Sequence, residues 1–111
     1  MTTKPSKSPE HLRAATRRWY ENVTESYELE PHHLRILQLA AESWDRGQEA
    51  REAIKTHGMT FENKYKEVKI RPEVTVERDC RTSFARLVRE LALSEDDAPD
   101  PRRPPRLKYS R

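Results

Sequence analysis

The chain has 111 residues, of which 33% are hydrophobic and 37% are charged, with 22 Lys and Arg against 19 Asp and Glu. This length allows one compact domain, and an apolar fraction this small predicts that partner subunits contribute to its stability. A single cysteine excludes an internal disulfide, and no run of about eighteen apolar residues is present, so we expect a cytoplasmic protein that is neither exported nor membrane-spanning.

Charge and proline content divide the chain into three parts. We expect a disordered basic arm over 1–8, a helical domain over 9–93 and a disordered tail rich in proline and arginine over 94–111. The predicted fold class is mainly α. It is a three-helix domain with a long central helix, and a small hairpin or an extended connection precedes the last helix.

The first helix is predicted to begin at Ser8, whose hydroxyl can cap free amides, with Pro9 at the first helical position. Its apolar residues recur every three or four positions, as in an amphipathic helix of about four turns. They are Leu12, Ala15, Trp19 and Val23. Trp19, like Trp44 in the next helix, falls on the apolar stripe, which favours a place in the core over stacking on nucleic-acid bases.

A second helix is predicted from Pro31 to about His57, where Gly58 supplies a stop. It carries two apolar stripes. The first consists of Leu34, Leu37, Ala41 and Trp44, and the second of Ile36, Ala40, Ser43, Gly47, Ala50 and Ile54. The second stripe is made largely of small residues, which let another helix approach closely. We interpret this small-residue stripe as a subunit interface; the alternative is that both stripes pack within one chain.

Residues 59–70 are predicted to form a small two-stranded hairpin, because Val68 and Ile70 alternate with polar residues after an Asn-Lys turn. A third helix is predicted from Pro72 to about Leu93. Its apolar face consists of Val76, Cys80, Phe84, Leu87, Val88 and Leu91, with arginines at 78, 81, 86 and 89 elsewhere.

No catalytic or metal-binding motif stands out. Gly47 and Gly58 are the only glycines, so a glycine-rich phosphate loop is excluded. His32 and His33 are adjacent in a helical turn, where neighbouring side chains point about 100° apart. Cys80 has no histidine at a useful spacing, which favours a packing residue over a nucleophile. We therefore expect a protein without enzymatic activity, cofactor or bound metal.

The densest positive cluster in a predicted ordered element lies at the start of the first helix. Residues 1–18 carry five positive charges and one negative charge. The predicted DNA contacts are this cluster, Lys4, Lys7, Arg13, Arg17 and Arg18, with weaker help from the tail at Arg102, Arg103 and Arg106. A phosphate-contacting role and a role in solubility fit the cluster equally well.

In order and spacing, these elements over residues 10–93 resemble the P27-type family of phage terminase small subunits. The matching segments are Arg18-Trp19-Tyr20, Leu29-Glu30-Pro31, Gly58 to Val68, Arg71-Pro72-Glu73-Val74, and Phe84 to Leu93. The family usually has glycine between the last two leucines, where this chain has Ala92.

The resemblance implies a subunit of a homo-oligomeric ring in the cytoplasm of a bacterial host cell. Such a subunit engages double-stranded viral DNA and delivers it to a large terminase subunit that holds the ATPase and the nuclease. The main rival is a small dimeric DNA-binding regulator without a packaging role. No pair of short helices joined by a tight turn supports that rival, and a metal-dependent nuclease lacks recognisable ligands.

Overall fold

The structure, a computed structural model, describes residues 7–92. Three helices and two short strands follow along the chain: α1 (Ala14–Ser26), α2 (Pro31–His57), β1 (Thr60–Glu62), β2 (Val68–Ile70) and α3 (Pro72–Leu91). The predicted mainly α class, the long central helix and the hairpin before the last helix are confirmed. The predicted tail lies outside the described residues, as does the predicted arm except for Lys7 and Ser8.

The start of α1 differs from the prediction. The side chain of Ser8 is buried and donates a hydrogen bond to Glu21 Oε2 at 2.6 Å, so it does not cap a helix that starts at Pro9. Residues 10–12 form a turn instead, and Arg13 stands at the N-cap of α1 without a side-chain cap of its own. A long-range contact thus overrides the local start signal.

Both ends of α2 follow the predicted signals. Pro31 occupies the first turn, where its missing N–H costs nothing, and the Glu30 amide donates to His33 Nδ1 at 3.1 Å. Gly58 ends the helix with a φ of +85°, a region that favours glycine, and its amide donates to the Ile54 carbonyl. His33 therefore helps to start the helix.

β1 and β2 pair in an antiparallel hairpin. Asn63 organises the connection, because its side-chain oxygen accepts hydrogen bonds from the amides of Tyr65 at 2.9 Å and Glu67 at 3.0 Å. Every residue of both strands is exposed, including Val68 at 71% and Ile70 at 68%. The hairpin therefore presents apolar side chains to solvent.

α3 begins with Pro72 in its first turn, as predicted, and ends at Leu91, which is buried. Ala92 follows in the left-handed conformation, with φ +46° and ψ +59°. This conformation costs an L-residue with a Cβ about 1–2 kcal/mol. Ala92 thus closes the helix where a glycine would be unstrained.

α1 and α3 both run antiparallel to α2 and pack against it. The core lies where all three helices meet, over the N-terminal half of α2, and contains Leu12, Tyr20, Val23, Leu37, Ala41 and Leu91. Leu37 is completely buried, and burial of a leucine side chain contributes about 2 kcal/mol. Since α2 is about 40 Å long, the core occupies one end of the helix and the hairpin follows the other.

Candidate nucleic-acid interface

One side of α3 carries four exposed arginines around a shallow surface depression. The residues that line it recur at helical spacing: Arg78, Arg81, Thr82, Ala85, Arg86 and Arg89. All six are exposed, while the opposite side of α3 packs against α2. We call these six residues the arginine face. It extends along the helix for about 17 Å, which is about five base-pair steps of B-DNA.

The arginines of the arginine face form only weak ion pairs with neighbouring carboxylates. Arg81 Nη2 lies 3.1 Å from Glu77 Oε1, and Arg78 Nε lies 3.8 Å from Asp79 Oδ1. Within residues 7–92, Arg86 and Arg89 form no ion pair. Exposed pairs of this kind contribute about 0–1 kcal/mol. A phosphate could therefore replace these carboxylates at little cost.

Arginines 78, 81, 86 and 89 were not among the predicted DNA contacts. Their spacing in the sequence could have identified them as one surface, because residues three or four apart share one side of a helix. The predicted apolar face of the same helix already required these arginines to point outward.

The structure separates the members of the predicted N-terminal cluster. Arg18 is exposed, Arg17 is half-buried, and neither has an ion-pair partner in the described part of the chain. Lys7 is exposed and lies 3.9 Å from Glu10. The remaining predicted contacts lie outside the described residues: Lys4, Arg102, Arg103 and Arg106.

Arg13, in contrast, forms an ion pair with Glu52 of the same chain. Its Nη1 and Nη2 each donate to the carboxylate of Glu52 at 2.9 Å, in the two-pronged geometry that arginine favours. The hydrogen bond to Glu52 raises the pKa of Arg13, and the same bond lowers the pKa of Glu52. Arg13 therefore joins α1 to α2 and is a weaker candidate for DNA contact than its neighbours.

Asp45 fixes the start of α1 from the middle of α2. This buried carboxylate accepts hydrogen bonds from the Arg13 amide at 2.7 Å and from the Thr16 hydroxyl. A carboxylate at a helix N-terminus satisfies free amides and interacts favourably with the helix dipole. Asp45 and Glu52 together set the position of α1, and hence of Arg17 and Arg18, along α2.

Within one chain, the small-residue stripe of α2 packs against α3. Ala40 and Ala50 are buried, and a Cβ added at Gly47 would lie 3.1 Å from the Cβ of Cys80. Ile36 packs against the core. Ser43 and Ile54 are half-buried. This stripe is therefore a helix contact within the chain, and its role as a subunit interface stays a prediction.

Cys80 of α3 faces Gly47 of α2. The thiol is half-buried, and burial raises its pKa, which keeps the reactive thiolate scarce near neutral pH. These features agree with a packing role.

The predicted core position is wrong for Trp44, which is 45% exposed. Its ring centroid lies 5.0 Å from that of Phe84, and Phe84 also contacts Trp19 at 5.7 Å. Trp19 is half-buried and packs against the core. The three rings leave an open groove between α1 and α3, lined by Ala15, Thr16, Trp19, Trp44 and Phe84. We call it the aromatic groove.

Residues 7–92 lack two other kinds of feature. No group of three or more His, Cys, Asp or Glu side chains in this region is placed to hold a metal ion. In the same region no helix is long and apolar enough to cross a membrane.

Comparison with known proteins gives a family match. Residues 14–99 match the family model described as phage terminase, small subunit, and neither curated proteins nor solved structures gave a match. The matched range includes all three helices and the hairpin, and this family has a general role in phage genome packaging. Because the match covers well over half of the chain, the chain belongs to the family of phage terminase small subunits.

Proposed function

We propose that this chain is a non-catalytic subunit that binds viral DNA, assembles into a homo-oligomeric ring and delivers the DNA to the large terminase subunit. The observation that carries the DNA-binding proposal is the arginine face of α3, with four exposed guanidinium groups on one side of one helix. Delivery to a large subunit that holds the ATPase and the nuclease rests on membership of the family.

Phosphate contact is the chemistry that the arginine face supports best. Each arginine that neutralises a phosphate releases counterions, so the affinity depends steeply on salt concentration. Arginine also contacts phosphate oxygens through two parallel N–H groups. In a ring, every subunit repeats the face, so weak contacts per subunit add up through avidity.

Two further basic segments assist in this proposal. Arg17 and Arg18 on α1 have no ion pair in the described residues and remain candidate phosphate contacts. The predicted tail contacts Arg102, Arg103 and Arg106 add positive charge beyond α3. We rank both below the arginine face, because the face places more cations on one rigid element.

The experiment compares DNA affinity between charge-matched variants of the full chain. Arg86→Gln with Arg89→Gln removes the two cations of the face that form no ion pair, and glutamine has a helix propensity close to that of arginine. Fluorescence anisotropy with a labelled 30-base-pair duplex should show an affinity at least about tenfold lower, equivalent to ~1.4 kcal/mol.

Arg35→Gln with Arg51→Gln is the matched control, because both arginines are exposed on α2 and the change in net charge is the same. The control should retain its affinity to within about twofold, or ~0.4 kcal/mol. Equal losses of DNA affinity in both double variants would mean that net charge alone attracts DNA and that the arginine face is not a specific DNA contact. A third variant, Arg17→Gln with Arg18→Gln, measures the predicted α1 contacts separately.

For assembly, we propose the hairpin as the contact with a second copy, because α3 of the same chain already packs against the small-residue stripe. Isolated two-stranded hairpins are marginally stable, and this one exposes all of its strand residues and both outer edges. A second copy supplies the same unpaired edge groups, so two hairpins can extend each other's sheet. Val68→Thr with Ile70→Thr keeps strand propensity while removing apolar area.

Light scattering after size-exclusion chromatography should show a lower mass for this double threonine variant. Lys69→Gln, on the opposite side of the same strand, should leave the mass unchanged. Equal masses for both variants would remove the hairpin from the interface. A mass of two chains for the unaltered protein would favour the rival dimeric regulator over a ring.

A further inference from the structure

The aromatic groove is an apolar concavity that the helical domain leaves open. It encloses about 300 Å³ between α1 and α3, and Trp44 remains 45% exposed within it. The ring planes of Trp19 and Trp44 are tilted by 50° and 54° to that of Phe84. The tryptophans and the phenylalanine thus form aromatic walls around a space that accepts a ligand of a few side chains.

The lining of the groove selects against nucleic-acid bases. None of its five residues is charged, and the Thr16 hydroxyl is already committed to Asp45. Sites for single-stranded nucleic acid combine stacking aromatic rings with cations that hold the backbone. An uncharged aromatic groove is instead the kind of surface that binds proline-rich segments in the polyproline II conformation.

The chain contains a segment with that composition. Residues 98–106 read Ala-Pro-Asp-Pro-Arg-Arg-Pro-Pro-Arg and include Pro101-Arg102-Arg103-Pro104, two prolines separated by two residues. Polyproline II has three residues per turn, so Pro101 and Pro104 fall on the same edge of the helix. This segment lies in the part of the chain beyond residue 92, outside the described residues.

Chain length allows the segment to reach the groove of its own molecule. Phe84 lies eight residues before Ala92, a separation of about 12 Å along a helix. The nine residues from Ala92 to Pro101 span up to about 30 Å when extended. A tether of this length holds its end at an effective concentration of the order of millimolar. A segment with an intrinsic Kd of about 100 µM would then occupy the groove about nine-tenths of the time.

We propose that Pro101 to Pro105 dock in the aromatic groove of the same chain, with Pro101 and Pro104 against the rings of Trp19 and Trp44. The intervening Arg102 and Arg103 lie on the outward edges of the polyproline helix. Docking therefore leaves both arginines accessible to phosphate and holds them against the folded domain. The docked prolines would thus fix the position of the tail relative to the helical domain.

Tryptophan fluorescence tests this docking directly, because Trp19 and Trp44 are the only tryptophans in the chain and both line the groove. The full chain is compared with its Pro101→Ala, Pro104→Ala double variant, which changes neither charge nor the helical domain. Acrylamide should quench the tryptophans of the double variant about twofold more strongly. Excitation at a wavelength that avoids tyrosine excludes a signal from Tyr109.

The matched control is Arg102→Gln with Arg103→Gln, which alters the residues that point outward and should leave quenching as in the unaltered chain. Equal quenching of the unaltered chain and the proline variant would overturn the proposal. Tail-dependent shielding that disappears on dilution would overturn docking within one chain and assign the groove to the tail of a second copy. Shielding that is independent of dilution and is lost only with the prolines supports the proposal.

Discussion

Gly47 offers a sharp test of how α2 and α3 pack. A Cβ at this position would lie 3.1 Å from the Cβ of Cys80, which is closer than ordinary van der Waals contact. Leucine adds three further carbons, so Gly47→Leu forces the two helices apart. Overpacking of this kind costs about 1–3 kcal/mol, and the short distance argues for the upper end.

The better helix propensity of leucine offsets about 0.8 kcal/mol of that cost. The net loss of unfolding free energy should therefore be about 2 kcal/mol, equivalent to a fall in Tm of about 10 °C for a domain of this size. Urea unfolding followed by circular dichroism measures the loss.

Two variants control this test. Gly47→Ala should change the stability by no more than about 0.5 kcal/mol, because its gain of about 1 kcal/mol in helix propensity offsets a small shift of α3. The cost of Gly47→Leu should be smaller in a Cys80→Gly background, which removes the Cβ that the new side chain meets, since residues in contact show coupled effects. If Gly47→Leu keeps its unfolding free energy while the oligomer falls to a monomer, then Gly47 lies between chains and our placement of the stripe is wrong.

Three other substitutions and one labelling experiment have expected outcomes. Ala92→Gly should stabilise the protein by about 0.5–1 kcal/mol in thermal unfolding, because it removes left-handed strain at the end of α3. A lower stability of this variant would mean that the strain is absent. Asp45→Ala should destabilise it by about 2 kcal/mol in urea, since the Arg13 amide loses its partner, and an unchanged midpoint would refute this cap. The pKa of Glu52 is lowered in the folded state, so its stabilising effect is present above the ordinary glutamate pKa and lost as pH falls through the folded value. The difference in unfolding free energy between the unaltered chain and Glu52→Gln should accordingly shrink on acidification. A difference that is constant with pH would argue against the ion pair. Maleimide should label Cys80 much more slowly in native buffer than in denaturant, and equal rates would place the thiol at the surface.

Local signals in the sequence predicted most of the elements. Pro31 and Pro72 mark helix starts because each occupies a first turn, and Gly58 marks a stop because it adopts a positive φ. These signals depend only on the conformation of the residue itself. They therefore hold whatever the helices later pack against.

The start of α1 could not be predicted in this way. Ser8 and Pro9 form a strong local start signal, yet Ser8 bonds to Glu21, thirteen residues away. Arg13 likewise pairs with Glu52, thirty-nine residues away, which the sequence gives no means of anticipating. Long-range partners of polar side chains are decided by packing geometry.

The candidate site was predicted only in outline. Helical periodicity identifies the small-residue stripe around Gly47 as a close helix contact, but it does not say whether the partner is α3 or another subunit. Likewise, periodicity places Trp44 on an apolar stripe, although α1 and α3 leave that position open between them. The arginine face was present in the same periodic pattern and became a candidate site once α3 was placed with its opposite side on α2.

The salt dependence of DNA affinity measures directly whether the arginine face contacts phosphate. Each phosphate contact contributes about 0.9 to the slope of log affinity against log salt concentration. The Arg86→Gln, Arg89→Gln double variant should therefore bind with a slope shallower by about 1.8, while the Arg35→Gln, Arg51→Gln control keeps the slope of the unaltered protein. An unchanged slope in the first variant would show that α3 does not contact phosphate.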